Sequence, residues 1–313
     1  MDLLFSVSLN HYSYPDLLYS HLDSQLCKFF AETFESCYTI AELLGKGGCG
    51  SVYAGTRKSD GAQVRDPLKL LVFWNISPRS GKHLPLEVGL MTMVSELPEC
   101  SNILKLLEWF EGPDVFVLIL ERPIPCMDLF DYCLKVQGRL SEQQARDILR
   151  QVVLAVKHCR DRGVLHRDIK PENLLVNTEN MSVKLIDFGC GDLLSESPFD
   201  AFAGTEEFSP PEWVLHGKYE GRQATVWSLG VLLHLLVSGE LPFVDEEEIV
   251  SGPLRFRREL SWESRDLIQW CLRKNPTERP VLEDILRHVW RKLYANYNSK
   301  VLNNTFFPLT RCV

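Results

Sequence analysis

The chain changes its hydrophobic period once, near Glu121, and that change limits the folds open to it. Before it, apolar residues fall in short β-type runs. "YTIAELLGKGGCGSVYAGTR", beginning at Tyr38, is two β-rich runs around a glycine turn, the signature of a hairpin. "ILKLLEWFEG" and "DVFVLILER" are two further strands, joined at Gly112–Pro113, while "LPLEVGLMTMVSEL" has helical spacing. After the change the helical period dominates. "SEQQARDILRQVVLAVKHCRDRG" opens on Ser141 with Gln144 three residues later, a capping box. Ala145, Ile148, Leu149, Val152, Val153 and Val156 then recur at helical intervals. Short strands ("VLH", "LLVN", "VKLIDF") follow, and then mostly helix to Trp290. The expectation is an α+β protein of two lobes, 38–121 β-rich and 126–290 helical. Residues 1–37 form an extension without clean periodicity, and 291–313 a loosely attached tail.

The 313 residues are enough for a large core and roughly two lobes. A content of 45% hydrophobic and 24% charged residues is that of a globular chain, and the net charge of −8 argues against nucleic acid as a general partner. The ten cysteines form no CxxC pair and no zinc-like spacing, and "MDLLFSVSLNHYSYPDLLYS" has no basic leader region. Free thiols in a reducing, cytoplasmic setting, with the nucleus as a second location, are therefore expected. The most apolar stretch, Val226 to Gly239, falls short of the ~20 residues of a membrane span, so it reads as a helix buried on all sides. Nothing in the chain demands a membrane or a second copy, and a monomer is expected.

Three motifs carry chemistry. Gly45-Lys46-Gly47-Gly48-Cys49-Gly50-Ser51-Val52 is G-x-G-x-x-G-x-V, in which glycines let backbone amides approach phosphates closely. Its place between two strands argues against a dinucleotide-binding fold. In "HRDIKPENLL", Asp168 is a carboxylate able to orient an acceptor hydroxyl and take its proton. Lys170 is a cation two residues on, and Asn173 an amide oxygen five residues on. Asp187-Phe188-Gly189 follows the strand "VKLI", fourteen residues after Asn173, and sets a carboxylate where a magnesium ion would bridge nucleotide phosphates.

With the glycine loop, His166-Arg167-Asp168, Asp187-Phe188-Gly189 and Pro210-Pro211-Glu212 in place, the chain from Tyr38 to Trp290 resembles a eukaryotic serine/threonine protein kinase. It is most similar to the PIM kinases. The hinge-like "FVLILERPIPCMDLFDY" and the stretch "SPPEWVLHGKYEGRQATVWSLGVLL", with Val226 where most kinases have an aspartate, carry that closer likeness. The resemblance implies a two-lobed kinase fold, ATP and Mg2+ as cofactors, and basic serine- or threonine-containing protein substrates. It implies that Leu44 to Val52 (Leu44, Gly45, Lys46, Gly47, Gly48, Cys49, Gly50 and Val52) cover the nucleotide. Asn173 and Asp187 would hold the metal, the Glu121 carbonyl would meet adenine beside Pro123 and Pro125, and Glu87 would pair a phosphate-binding lysine. Arginines N-terminal to the acceptor would meet Asp128, Asp131 and Glu172, although Pro171 stands where the family has an aspartate. Arg279 in "NPTERP" would pair with Glu212, and Cys190 to Ser209 would be the activation loop, active without a phosphate.

One part departs from the family pattern. Counting from Val52, the place of the strand lysine falls near Pro67 in "AQVRDPLKLLVFWNISPRSGK", and a proline is disfavoured in an inner strand. Lys69, two residues on, would face the same side, displaced by ~6–7 Å. Lys46 in the glycine loop is a second source of the charge. Otherwise the charge is missing and the chain is a pseudokinase or scaffold, or 64–82 is a substituted segment.

Overall fold

The computed structural model describes residues 3–4, 34, 36–47, 50–58, 69–76, 85–111, 115–257 and 259–288. They divide into two compact units. One holds the described residues up to Asp131 together with His158–His166 and Glu172–Leu193; the other holds Tyr132–Lys157, Arg167–Pro171 and the described residues from Leu194 onward.

In the first unit, β1 (Leu3–Leu4), β2 (Tyr38–Gly47), β3 (Gly50–Arg57), β4 (Lys69–Ile76), β5 (Leu106–Glu111) and β6 (Val115–Glu121) form one sheet in the order β1-β2-β3-β4-β6-β5. All neighbours are antiparallel except β1 and β2. The edge strand β5 alternates, burying Leu106 and exposing Leu107 and Trp109, as a half-covered strand should. In β6 each residue from Phe116 to Leu120 is buried, as expected for an inner strand covered on both faces. The expected hairpin is β2–β3, and the expected helix is α1 (Leu86–Ser95).

Phe34 comes from the stretch read as an extension, yet it is 2% exposed. It packs with Tyr38, Val117 and Ile119, with Tyr53 and Phe110 against them. Its ring stacks on Tyr38 at 5.5 Å and meets the Phe110 edge at 5.6 Å. One face of the sheet is therefore completed by a residue that lies between β1 and β2 in sequence.

The same unit carries two small sheets. One is ordered β10-β9-β7, from β7 (Cys126–Asp128), β9 (Leu174–Asn177) and β10 (Val183–Leu185). The other pairs β8 (Val164–Leu165) with β11 (Asp192–Leu193). Of these, β8, β9 and β10 are the short strands that the sequence predicts, while β7 and β11 are additional.

Helices build the rest: α2 (Leu129–Lys135), α3 (Glu142–Asp161), α4 (Pro211–His216), α5 (Gly221–Ser238), α6 (Glu246–Ser251), α7 (Trp262–Cys271) and α8 (Leu282–Arg287). α3 starts on the predicted capping box. Gln144 N–H donates to Ser141 Oγ at 3.2 Å, and Ser141 N–H to Gln144 Oε1 at 3.1 Å. In the second unit Glu142 also ties the start of α3 to the start of α7, accepting from Ser261 N–H at 2.9 Å and from the hydroxyls of Ser261 and Ser264. Burial opposes the charge of Glu142, but these hydrogen bonds outweigh it and lower its pKa. α5 is buried almost all round, Trp227, Val231, Leu232 and Leu233 completely, as its unbroken apolar run predicts. Among the described residues no helix is long and apolar enough to cross a membrane.

Candidate active site

The second unit fixes a carboxylate and a cation side by side. Arg167 lies in the left-handed region (φ 67°), an uncommon conformation for a side chain of this kind that turns the chain sharply into Asp168. Asp168 is 6% exposed, and both of its oxygens are engaged. Oδ1 accepts from the Thr205 amide at 3.0 Å and the Thr205 hydroxyl at 2.7 Å. Lys170 Nζ lies 3.0 Å from Oδ2 and donates to Thr205 Oγ1 at 2.8 Å. Asp168, Lys170 and Thr205 thus close a ring of charge-assisted hydrogen bonds around one carboxylate, stronger than neutral ones.

Thr205 can sit there because Gly204 precedes it. A Cβ on Gly204 would lie 2.4 Å from the Arg167 carbonyl oxygen, a backbone atom with nowhere to go. The segment before it is pinned by aromatics. Phe199 and Tyr219 exchange backbone hydrogen bonds at 2.8 and 3.1 Å, and Phe202 stacks on Trp213 at 5.7 Å. The Arg167 guanidinium lies 5.6 Å from the Phe199 ring centroid, and Glu196 pairs with Arg222 at 2.7 Å. The sequence reading did not find Thr205. The pair Gly204-Thr205, late in the Cys190–Ser209 stretch and five residues before Pro210, is its one local signal.

Deeper in this unit Arg279 and Glu212 form the bidentate pair expected of them, at 2.8 and 2.6 Å, with the Arg279 side chain fully buried. Arg279 also donates to the carbonyls of Arg273, Gln223 and Lys274 and lies 5.0 Å from the Trp227 ring.

The first unit carries the oxygen donors. Leu174 pairs with Leu185 at the ends of β9 and β10, and Ile186 N–H donates to the Asn173 carbonyl at 3.0 Å. Asn173 and Asp187 therefore stand at neighbouring ends of one hairpin. Asn173 is 1% exposed, and Asp187 has φ 62° with its Oδ1 accepting from Gly189 N–H at 3.0 Å. His166 Nε2 lies 2.9 Å from the Ile186 carbonyl oxygen, which can only accept, so that nitrogen carries the hydrogen. The His166 ring packs edge-on against the buried Phe188 at 4.8 Å. A carboxylate and an amide oxygen held at one hairpin end are hard donors. They fit a magnesium ion that keeps its other positions for water and phosphate oxygens. α1, with Glu87 in its first turn, comes close to this end. A Cβ on Gly191 would lie 2.7 Å from Leu90 Cδ1.

Around the hinge-like stretch, the Glu121 side chain accepts from Lys105 N–H at 2.8 Å and from Lys184 Nζ at 2.7 Å, which orders the strand end there. Cys126 Sγ lies 2.8 Å from the Pro123 carbonyl and donates to it. Asp128 has a structural use that the sequence reading did not foresee. Its Oδ1 accepts from Asp131 N–H at 2.8 Å and so caps α2, and burial raises its pKa. Glu172 is half-buried in a single 3-10 turn (Pro171–Asn173), so of the three acidic residues expected to meet arginines only Asp131 is exposed.

For the nucleotide loop, Gly45 pairs with Val52, Lys46 with Ser51 and Gly47 with Gly50, while Gly48 and Cys49 lie outside the described residues. Leu44 is half-buried at the head of this run. β4 begins at Lys69, opposite Thr56, and Leu71 stands opposite Ala54. From Leu70 to Ile76 the strand holds no lysine or arginine, and Pro67 lies outside the described residues. Seven cysteines (Cys37, Cys100, Cys126, Cys133, Cys159, Cys190 and Cys271) are free thiols, and burial pushes Cys271 up to about 12.

Comparison with known proteins adds to this geometry. The protein kinase domain matches residues 38–291. Serine/threonine-protein kinase pim-2 of Danio rerio is 41% identical over 286 residues, covering 88% of this chain and 91% of the relative. Serine/threonine-protein kinase prk-2 of Caenorhabditis elegans is 40% identical over 266 residues, covering 83% of this chain and 59% of that longer protein. NUAK family SNF1-like kinase 1 of Homo sapiens is 34% identical, with 81% of this chain and 38% of the relative covered. The chain belongs to the protein kinase family and, within it, to serine/threonine kinases that resemble the PIM group.

Proposed function

We propose that this chain transfers the γ-phosphate of ATP to serine or threonine hydroxyls of proteins carrying arginines N-terminal to the acceptor. The observation that carries the reading is the Asp168–Lys170–Thr205 ring. A buried carboxylate held by three hydrogen-bonding groups is oriented in advance to receive an acceptor hydroxyl and its proton. Lys170, already beside it, steadies the moving phosphate. Asn173 and Asp187 would hold Mg2+, which when bound offsets the charge of the phosphate oxygens. Leu44 to Val52 would cover the nucleotide, with the Glu121 carbonyl toward adenine. The exposed Asp131 would meet substrate arginines first, with Glu172 half-buried and Asp128 engaged as the cap of α2. Such catalysis is positioning and electrostatics, so each fixed charge matters.

A second reading is favoured by one observation: the interior of β4 has no cation. If neither Lys69 nor Lys46 meets the α- and β-phosphates, the chain is a PIM-like scaffold with impaired transfer.

The test is Mg2+-dependent transfer of labelled phosphate from ATP to an arginine-rich serine peptide. Wild type is compared with Asp168→Asn, Lys69→Met and Lys46→Met. The proposal expects Asp168→Asn to lose about 10²–10⁴-fold, the range of general acid–base catalysis, and one lysine variant to fail as well. A wild type no faster than Asp168→Asn would give the scaffold reading its place.

A further inference from the structure

Building on the proposed function, we propose that Glu206 and Glu207 select a basic residue directly after the acceptor serine or threonine. Both stand immediately beyond Thr205, the residue whose amide and hydroxyl hold Asp168. They open a single 3-10 turn (Glu206–Phe208), and its hydrogen bonds fix which residues face out. Phe208 N–H donates to the Thr205 carbonyl at 3.0 Å and Ser209 N–H to the Glu206 carbonyl at 2.9 Å. Phe208 turns inward, 7% exposed, and its carbonyl accepts from the buried Ser228 hydroxyl at 3.3 Å. Glu206 and Glu207 are left exposed on a backbone that is held from both sides.

Other acids of this stretch have local uses: Glu196 pairs with Arg222, and Asp192 accepts from Leu193 N–H. The carboxylates of Glu206 and Glu207 have no hydrogen-bond or ion-pair partner among the described residues. No lysine or arginine occurs from Cys190 to Ser209. Lys170 offsets Asp168 at 3.0 Å, so the uncompensated charges next to Thr205 in sequence are those of the two glutamates.

Reach decides what they meet. An acceptor hydroxyl has to come within hydrogen-bonding distance of Asp168. One residue along a chain is ~3.8 Å, so the substrate residue next to the acceptor and Glu206–Glu207 next to Thr205 lie within the span of an arginine–glutamate pair. The upstream arginines go to Asp131 in the proposed function, and the residue after the acceptor to Glu206 and Glu207. An acidic or phosphorylated residue there meets two like charges; an arginine or lysine meets two opposite ones.

The experiment uses the full chain and three serine peptides with the same upstream arginines, differing only in having Arg, Ala or Glu after the serine. Transfer and peptide binding by fluorescence anisotropy are read in parallel, so slow turnover does not hide selectivity. Exposed ion pairs of this kind give about two- to five-fold each, so Arg is expected over Glu by about tenfold in kcat/KM. The preference should shrink between about 0.05 and about 0.5 M salt, as screening shortens the reach of charge. Glu206→Gln/Glu207→Gln should bring the Arg-to-Glu ratio toward one while the need for upstream arginines persists. Equal use of the three peptides by wild type, or a ratio that survives in the double variant, overturns the inference. So does a charge preference that follows the residue before the serine. Absence of transfer and binding with all three peptides, indistinguishable from Asp168→Asn, overturns the proposed function along with it.

Discussion

The helical unit buries two of its ion pairs, beside exposed ones such as Arg222–Glu196, whereas the ion pairs described around the N-terminal sheet lie at or near the surface. Arg279 with Glu212 and Lys170 with Asp168 are closed off from solvent. Arg57–Glu108 in the sheet and Lys105–Glu99 just before β5 are largely exposed, with side-chain exposures of 55% and 34%, and 40% and 45%. A buried pair resists single substitution because the surviving partner is stranded without solvent; an exposed pair contributes roughly 0–1 kcal/mol. The sheet is held by apolar packing, which tolerates drift in its sequence. That is the region in which the family's lysine place reads proline, while the helical unit holds the Asp168–Lys170 pair in a buried ring.

The largest effect is expected where a buried partner is removed. Arg279→Met should cost about 3–5 kcal/mol in urea unfolding, because Glu212 loses its partner inside the core. Arg57→Met in the sheet should cost no more than about 1 kcal/mol. Arg279→Met/Glu212→Leu should recover much of the loss, since no charge is then stranded. Equal costs for Arg279→Met and Arg57→Met would break the comparison.

Packing should govern the sheet in turn. Phe34→Ala is expected to cost about 3 kcal/mol or more, the usual scale for deleting a buried aromatic ring, with the unfolding midpoint as readout. A change within a few tenths of a kcal/mol would mean that the face built by Tyr38, Val117 and Ile119 closes without Phe34, and that residues before Tyr38 are dispensable to it.

Thr205 sharpens the comparison at the Asp168 carboxylate, the proposed base. Thr205→Val removes the hydroxyl shared by Asp168 and Lys170, a loss of about 1–3 kcal/mol for a buried hydrogen-bonding group, or about 5–150-fold in kcat. Thr205→Ser keeps the oxygen and should stay within a few-fold of wild type. A valine variant as fast as the serine variant would show that the ring orients nothing.

What was legible beforehand follows from how local each feature is. The β2–β3 hairpin, the capping box at Ser141 and Gln144, and the buried α5 are written within a turn or a period, so pattern alone finds them. The hairpin end carrying Asn173 and Asp187 was legible as spacing. The Arg279–Glu212 pair was legible only through family likeness, because 67 residues separate its members. Thr205 lies 37 residues from Asp168 and has no local pattern of its own. Family likeness makes Asp128 a substrate contact, but it stands three residues before Asp131 at the head of a helix, which is a cap signature. Counting from Val52 places the strand lysine near Pro67. β4 instead coincides with the β-rich run "KLLVFWNI", so packing propensity rather than family count sets where that strand begins.

The smallest effect concerns a charge that the helical unit buries only in part. Lys274 Nζ donates to the carbonyls of Glu248 and Ile249, at 3.0 and 2.6 Å, and lies 3.6 Å from the Phe243 ring centroid. Burial and the neighbouring Arg279 lower its pKa from 10.5 to about 8, while Glu248 raises it; the carbonyls and the ring also favour the cation. With the folded value below the unfolded one, the unfolded chain binds more protons between pH 8 and 10.5, so stability rises across that window and the gain is lost as pH falls through 8. Because the group is only half-buried, solvent screening reduces the gain to about 1–2 kcal/mol. Taking the difference between wild type and Lys274→Met cancels the titration of other groups, and its unfolding free energy should climb between about pH 7.5 and about pH 10. A difference that stays flat would mean that the carbonyls and the Phe243 ring fully replace water for this cation, making Lys274 as settled in its burial as Arg279.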